Sequence, residues 1–213
     1  MAEFLYHELD PFPDYSEADD DGLLAIGGSL SVPRLKEAYS KGIFPWYAPD
    51  EPPLWWCPDP RCVLYTDQIK ISKSMKQTLR RGHYEFRYNT NFPQVIQHCK
   101  MTYRHGQPGT WITEEFIYAY TTLHQEGMVV SAETWCAGEL VGGLYGVLLP
   151  HLFCGESMFS HQNDASKFAL IHLAQKLYNE GINVIDCQLH TPHLESLGAK
   201  MIPRTTFLEY LQP

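Results

Sequence analysis

The longest helical pattern in the chain runs from Asp164 to Glu180. Phe168, Leu170, Ile171, Leu173, Ala174 and Leu177 recur there at helical spacing, Asp164 offers an N-cap and Gly181 a stop. Thr113 to Glu126 predicts a second helix, with Phe116, Tyr120 and Leu123 on one face and Gly127 at its end. Ser72 to Arg81 predicts a third, which presents Lys73, Lys76 and Arg80 on one side. A fourth lies near the N-terminus: Ser31 is its cap, Pro33 sits in its first turn, Leu35, Ala38 and Tyr39 form its apolar stripe, and Gly42 ends it. Strand patterns fall at Val63–Tyr65, Met128–Thr134, Leu140–Leu149, His151–Cys154 and Asn183–Asp186. Beyond Leu197-Gly198-Ala199, residues Phe207 to Leu211 predict a final helix or strand.

Pro45 to Pro60 holds six prolines and three tryptophans and reads as an ordered linker or lid. The pattern changes near Arg61, which predicts a small N-terminal domain over 1–62 and a larger one over 63–213. Three antiparallel-type strands, a long helix and a further strand predict an α+β fold with a mixed sheet. An N-acetyltransferase-like core is one known arrangement of this order, and periodicity does not choose it over other mixed sheets. No internal repeat or low-complexity tract interrupts the pattern.

With 213 residues, 44% of them hydrophobic and 13% aromatic, the chain can bury a core, and disorder throughout is excluded. A net charge of −9 argues, taken whole, against a nucleic-acid partner. The distribution argues otherwise. Residues 1–60 hold 12 acids and 3 bases, and residues 105–213 hold 11 acids and 4 bases. Between them, residues 61–104 hold 9 bases, from Arg61 to Arg104, against only Asp67 and Glu85. The chain begins Met1-Ala2-Glu3 with no basic and apolar leader pattern. Its longest apolar stretch, Leu140–Leu149, is too short to span a bilayer. A cytoplasmic protein with no membrane partner and six reduced, mostly buried cysteines is expected.

Asp186 and Gln188 close an apolar strand, and strand alternation puts both on one face with Cys187 opposite. A carboxylate and an amide side by side can hold an amine and steer its proton. The bland alternative is a cap or a structural hydrogen bond. Glu156 sits in the apolar run Phe153-Cys154-Gly155-Glu156-Ser157-Met158-Phe159-Ser160, where an acid needs a ligand or a Lys or Arg partner. Cys187, His190 and His193 have the spacing C-x-x-H-x-x-H, but no second ligand pair stands nearby, so no metal is expected. The chain has no G-x-S-x-G, Walker A or G-x-G-x-x-G motif. Ser160 to Ser166 lacks the glycine-rich pyrophosphate loop of a coenzyme A enzyme. The basic segment could hold phosphates, and Trp46, Trp55, Trp56 and Trp111 could stack on bases, although core packing is the default for each tryptophan.

Motifs spread over nearly the whole chain carry a resemblance. They are Gly22-Leu23-Leu24-Ala25-Ile26-Gly27-Gly28, Gly42-Ile43-Phe44-Pro45-Trp46, Leu54-Trp55-Trp56-Cys57-Pro58-Asp59-Pro60-Arg61 and Gly109-Thr110-Trp111-Ile112-Thr113. They continue through Leu140-Val141-Gly142-Gly143-Leu144-Tyr145-Gly146, the Phe153–Ser160 run, Asp164-Ala165-Ser166-Lys167, Asp186-Cys187-Gln188 and Ser196-Leu197-Gly198-Ala199. In this order and spacing the chain resembles the leucyl/phenylalanyl-tRNA–protein transferases.

The resemblance implies transfer of Leu or Phe, less readily Met, from aminoacyl-tRNA to the N-terminal Arg or Lys of a protein. The product enters N-end-rule degradation. It also implies a small N-terminal domain, an acetyltransferase-like C-terminal domain, and no metal or coenzyme A. Gln188 would contact the attacking amine and Asp186 would orient or polarise Gln188, with the proton leaving through Asp186, the ribose or water. Glu156 would hold the α-amino group of the aminoacyl moiety or help read the acceptor's cationic residue. Leu144, Phe153, Met158, Leu170, Leu173, Leu177 and Ile185 would line the amino-acid pocket. Trp46 and Trp111 would hold the terminal adenosine, and Lys73, Lys76, Arg80 and Arg81 would contact tRNA phosphates. Leu144 and Leu173 stand where better-known members carry Met and Phe, and His190-Thr191-Pro192 replaces an Asn-containing stretch. Two other readings compete: an acyl-CoA N-acyltransferase and a non-catalytic tRNA-binding adaptor. A monomer is expected.

Overall fold

Two sheets share one core in the computed structural model, which describes residues 2–8, 10–102 and 110–212. Arg104 of the basic segment and Gly109 of the tryptophan motif lie outside the described residues. The smaller sheet contains β1 (Glu3–Leu5), β2 (Leu23–Gly27), β3 (Phe44–Pro45) and β4 (Leu54–Trp56), in the order β1-β2-β4-β3. Helix α1 (Val32–Ser40) runs between β2 and β3, and Ser31 caps it as predicted. The proline-rich segment is therefore not a lid. It supplies β3 and β4, and Trp55 is fully buried with its indole N–H donating to Gly27 O at 2.9 Å. Three proline-flanked residues form a strand here because tryptophans fill the core from it.

The larger sheet takes β5 (Arg61–Tyr65), β6 (Glu85–Tyr88), β7 (Val129–Cys136), β8 (Glu139–Leu148), β9 (Leu152–Ser160), β10 (Val184–Gln188) and β11 (Lys200–Ile202). Its order is β11-β5-β10-β9-β8-β7-β6, and only β9 and β10 pair in parallel. The architecture is the expected α+β mixed sheet. The connecting helices are α2 (Lys73–Arg81), α3 (Phe92–Met101), α4 (Glu114–Gln125), α5 (Ala165–Asn179), α6 (Pro192–Ser196) and α7 (Arg204–Glu209). Helix α3 goes beyond the predicted elements, although Asn91, Pro93 and the spacing of Phe92, Val95, Ile96 and Cys99 mark it. The C-terminal segment resolves as a helix, α7.

Period-2 alternation sorts the strands onto two faces. Val130, Leu144, Phe153 and Ile185 pack with α5, while Val129, Tyr145, Cys154 and Val184 pack with α3, α4 and the smaller sheet. Gly142 serves this packing: a Cβ there would stand 2.5 Å from Ala165 Cβ, so the start of α5 lies directly on β8. Asp164 precedes α5 as predicted but does not cap it. It is left-handed at φ 64°, and its carboxylate turns instead to Lys167 Nζ at 3.1 Å and Thr78 Oγ1 at 3.4 Å. Among the described residues no helix is long and apolar enough to cross a membrane.

Candidate active site

Strands β9 and β10 pair only where Leu152–Cys154 meets Val184–Asp186. Past that point each strand carries a bulge. In β9, Tyr145 opposes Ser157 and Gly146 opposes Gly155, which leaves Glu156 as the extra residue. In β10, Asp186 opposes Val63 and Gln188 opposes Cys62, which leaves Cys187 extra. Gln188 itself is left-handed, at φ 62°. A cavity of about 250 Å³ opens there. Leu144, Phe153, Met158, Leu170 and Ile185 make its apolar wall, Glu156, Asp186, Cys187 and Gln188 its polar side, and Trp111, Thr191 and His193 stand at it as well.

The bulge corrects the predicted alternation. Cys187 and Gln188 both reach the cavity, because a left-handed residue after an extra one breaks the two-residue repeat. Leu173 and Leu177 do not line the cavity; they are fully buried in the core between α5 and the sheet. Trp46 is also off the cavity wall, packed 5.9 Å from Trp56, whose indole N–H donates to Trp46 O at 2.6 Å. Lys73, Lys76, Arg80 and Arg81 are all exposed on α2. Met75 and Thr78 turn inward from the same helix, so the four cations project from its outer side.

Asp186 is fully buried and clamped. Arg61 donates from Nε to Oδ1 at 2.8 Å and from Nη2 to Oδ2 at 2.7 Å, and the Gln188 backbone N–H adds a third bond to Oδ1 at 2.9 Å. The Arg61 guanidinium lies between two rings, 4.7 Å from the centre of Phe44 and 4.5 Å from that of Phe207. Burial works against the Arg61 charge, yet the Asp186 carboxylate holds its pKa above the ordinary value. With these donors in place, Asp186 is built to fix the backbone at Gln188. Arg61 had no assigned role in the sequence, where an arginine heading a basic segment looks like a phosphate contact.

Among the described residues, no cation pairs with Glu156. Its Oε1 accepts from Gln188 Nε2 at 2.9 Å and its Oε2 from the Tyr120 hydroxyl at 3.1 Å. Tyr120 in turn bonds the hydroxyl of Tyr39. Burial pushes the Glu156 pKa up to about 7, against the hydrogen bonds from Tyr39, Tyr120 and Gln188, and the Asp186 charge adds to the rise. Nearby Cys154 is held well above the usual thiol range by burial and then by Asp186, so it stays a neutral thiol. Tyr39 and Tyr120 escape sequence reading because a tyrosine on an apolar stripe looks like core. The site thus combines an apolar pocket, a glutamine held at its backbone by Asp186 and at its amide by Glu156, and an acid poised near neutrality.

A family model described as leucyl/phenylalanyl-tRNA protein transferase matches residues 63–212. The chain belongs to this family. A companion model for the family's N-terminal domain matches residues 28–59. The leucyl/phenylalanyl-tRNA–protein transferase of Christiangramia forsetii is 53% identical over 98% of this chain and 99% of its own. That of Flavobacterium johnsoniae is 52% identical over 94% and 95%. This transferase is therefore an enzyme that uses aminoacyl-tRNA and a protein acceptor, which sets aside the acyl-CoA and adaptor readings. Among solved structures, a GCN5-related N-acetyltransferase from Kribbella flavida is similar at TM-score 0.42 and 7% identity, over 79% of this chain and 59% of that one.

Proposed function

We propose that the enzyme moves Leu or Phe, and less readily Met, from aminoacyl-tRNA to the N-terminal Arg or Lys of an acceptor protein, which marks that protein for N-end-rule degradation. The observation that carries this reading is the Gln188 amide beside an apolar cavity of about 250 Å³, a size suited to one large apolar side chain. Leu144, Phe153, Met158, Leu170 and Ile185 offer that side chain no polar partner, so polar amino acids lose by desolvation. The ester is already activated, so positioning and exclusion of water supply most of the catalysis. Gln188 Nε2 is held by Glu156, which leaves Oε1 to accept from the attacking amine. The amine nitrogen bonds the ester carbonyl carbon, the bond to the ribose oxygen breaks, and that oxygen takes up the amine's proton directly or through water. Asp186 acts by fixing Gln188.

Trp111 at the cavity would stack on the terminal adenosine, and the α2 cations would hold phosphates. In this reading residues 1–62 form a small N-terminal domain and residues 63–213 the catalytic one. The enzyme works as a cytoplasmic monomer, and forming a peptide bond from an ester calls for no cofactor. Labelled Leu-tRNA incubated with test proteins beginning Arg, Lys or Ala checks the reading. Label is expected on the first two alone; equal transfer to all three, or transfer to none, overturns it.

A further inference from the structure

The chain of hydroxyls behind Glu156 begins in the N-terminal part of the molecule and ends at the amide. Tyr39 comes from α1, Tyr120 from α4, Glu156 from the bulge of β9 and Gln188 from the bulge of β10. Tyr120 has one hydroxyl proton and gives it to Glu156, so the proton between the two tyrosines belongs to Tyr39. Both rings are buried, and burial followed by the Glu156 charge holds both hydroxyls well above their ordinary pKa, so they remain donors.

We propose that Tyr39 and Tyr120 are positioning residues for the transfer reaction: their aligned hydroxyls keep Glu156 an acceptor, and an accepting Glu156 fixes which end of the Gln188 amide faces the substrate. A carboxylate can take only the NH2 end of the amide, so Oε1 is left for the amine. A protonated Glu156 can instead donate to Oε1, and the amide then turns its NH2 end to the amine, which needs an acceptor. This step rests on the proposed contact between Gln188 and the attacking amine.

Among the described residues, the groups that face Glu156 are Tyr39 on α1, Tyr120 on α4, Tyr145 on β8 behind Tyr120, Cys154 on β9, and Asp186 on β10 with Arg61 of β5 beyond it, and His193 of α6 lines the same cavity. Tyr120 and Gln188 donate to the carboxylate, Tyr39 donates to Tyr120 behind it, and burial and the Asp186 charge oppose its ionisation. Removing a donor therefore shifts Glu156 toward its neutral form at a given pH.

Two measurements on the full chain test this. The first follows the pH dependence of kcat/KM for leucyl transfer in wild type, Tyr120→Phe and Tyr39→Phe. Wild type is expected to lose activity as the pH falls through about 7. Tyr120→Phe is expected to move that limb upward by about one pH unit, lowering the rate about fivefold at pH 7 while restoring it near pH 9. Tyr39→Phe should move it the same way by less. A rate lowered equally at every pH, or a limb that does not move, overturns the proposal. The second follows the Glu156 carboxyl carbon by NMR titration in tRNA-free protein, with Glu156→Gln to assign the signal. Its midpoint should rise in both Phe variants, and an unchanged midpoint overturns the proposal. Because this titration needs no transfer, failure of wild type to transfer Leu would count against the functional reading alone.

Discussion

Asp186 receives three hydrogen bonds on two oxygens inside the protein, and two of them come from one planar guanidinium. A lone buried carboxylate would be costly, and Arg61 is what makes it tolerable. Arg61→Met is expected to destabilise the fold by about 3–5 kcal/mol, read by urea denaturation. Arg61→Lys keeps the charge but not the two-pronged geometry, so transfer should fall more than stability. A loss below about 1 kcal/mol for Arg61→Met would show that Asp186 is not held as described. Asp186, Gln188 and Glu156 were legible as candidates because polar groups interrupt apolar strands there. Their partners were not, because neither an arginine beside a proline motif nor a tyrosine on a helix stripe carries a local mark of its three-dimensional use.

Elements with regular periods were the legible ones: α1, α2 and α4 start at the caps their patterns predict, and α5 falls where its stripe predicts although Asp164 does not cap it. What period-2 reasoning could not supply was the pair of bulges, since an extra residue is defined by the partner strand and not by its own sequence. The same limit explains Leu173 and Leu177. They follow Leu170 along α5, but the cavity ends at Leu170 and the stripe continues into the core. Helix α2 illustrates the opposite case, a face readable from spacing alone: Ser72 fixes its start, left-handed Gly82 its end, and the cations stand opposite Met75 and Thr78. If these cations meet phosphates, Lys73→Gln with Lys76→Gln should flatten the log–log salt dependence of tRNA binding by about 1.4–1.8. Filter binding across a salt series checks this, and an unchanged slope removes α2 from the interface.

At the scale of the molecule, the net charge of −9 hides a local segment of opposite sign, residues 61–104, with 9 bases against Asp67 and Glu85. The expected division near residue 62 likewise falls inside β5, which starts at Arg61 and pairs with both β10 and β11. One apolar cluster runs from Leu24, Phe44 and Trp55 through Phe116 and Tyr120 to Val147 and Val184. Continuous cores melt together, so calorimetry is expected to show a single transition with matching calorimetric and van't Hoff enthalpies. Two separable transitions would mean that the smaller sheet folds independently of the larger.

The two rings around Arg61 have a bearing on the order in which the enzyme is made. A ribosome releases Phe44 and Arg61 early, Asp186 much later, and Phe207 later still. Until Phe207 of α7 has emerged, the guanidinium lacks one wall and stands open to water, where it is a weaker clamp on its carboxylate. A nascent chain stalled after Gln188 holds every residue assigned to the chemistry and still lacks the enclosure that fixes them. Helix α7 therefore supplies the last wall of the Arg61–Asp186 pair, although every residue assigned to the chemistry precedes it in the chain.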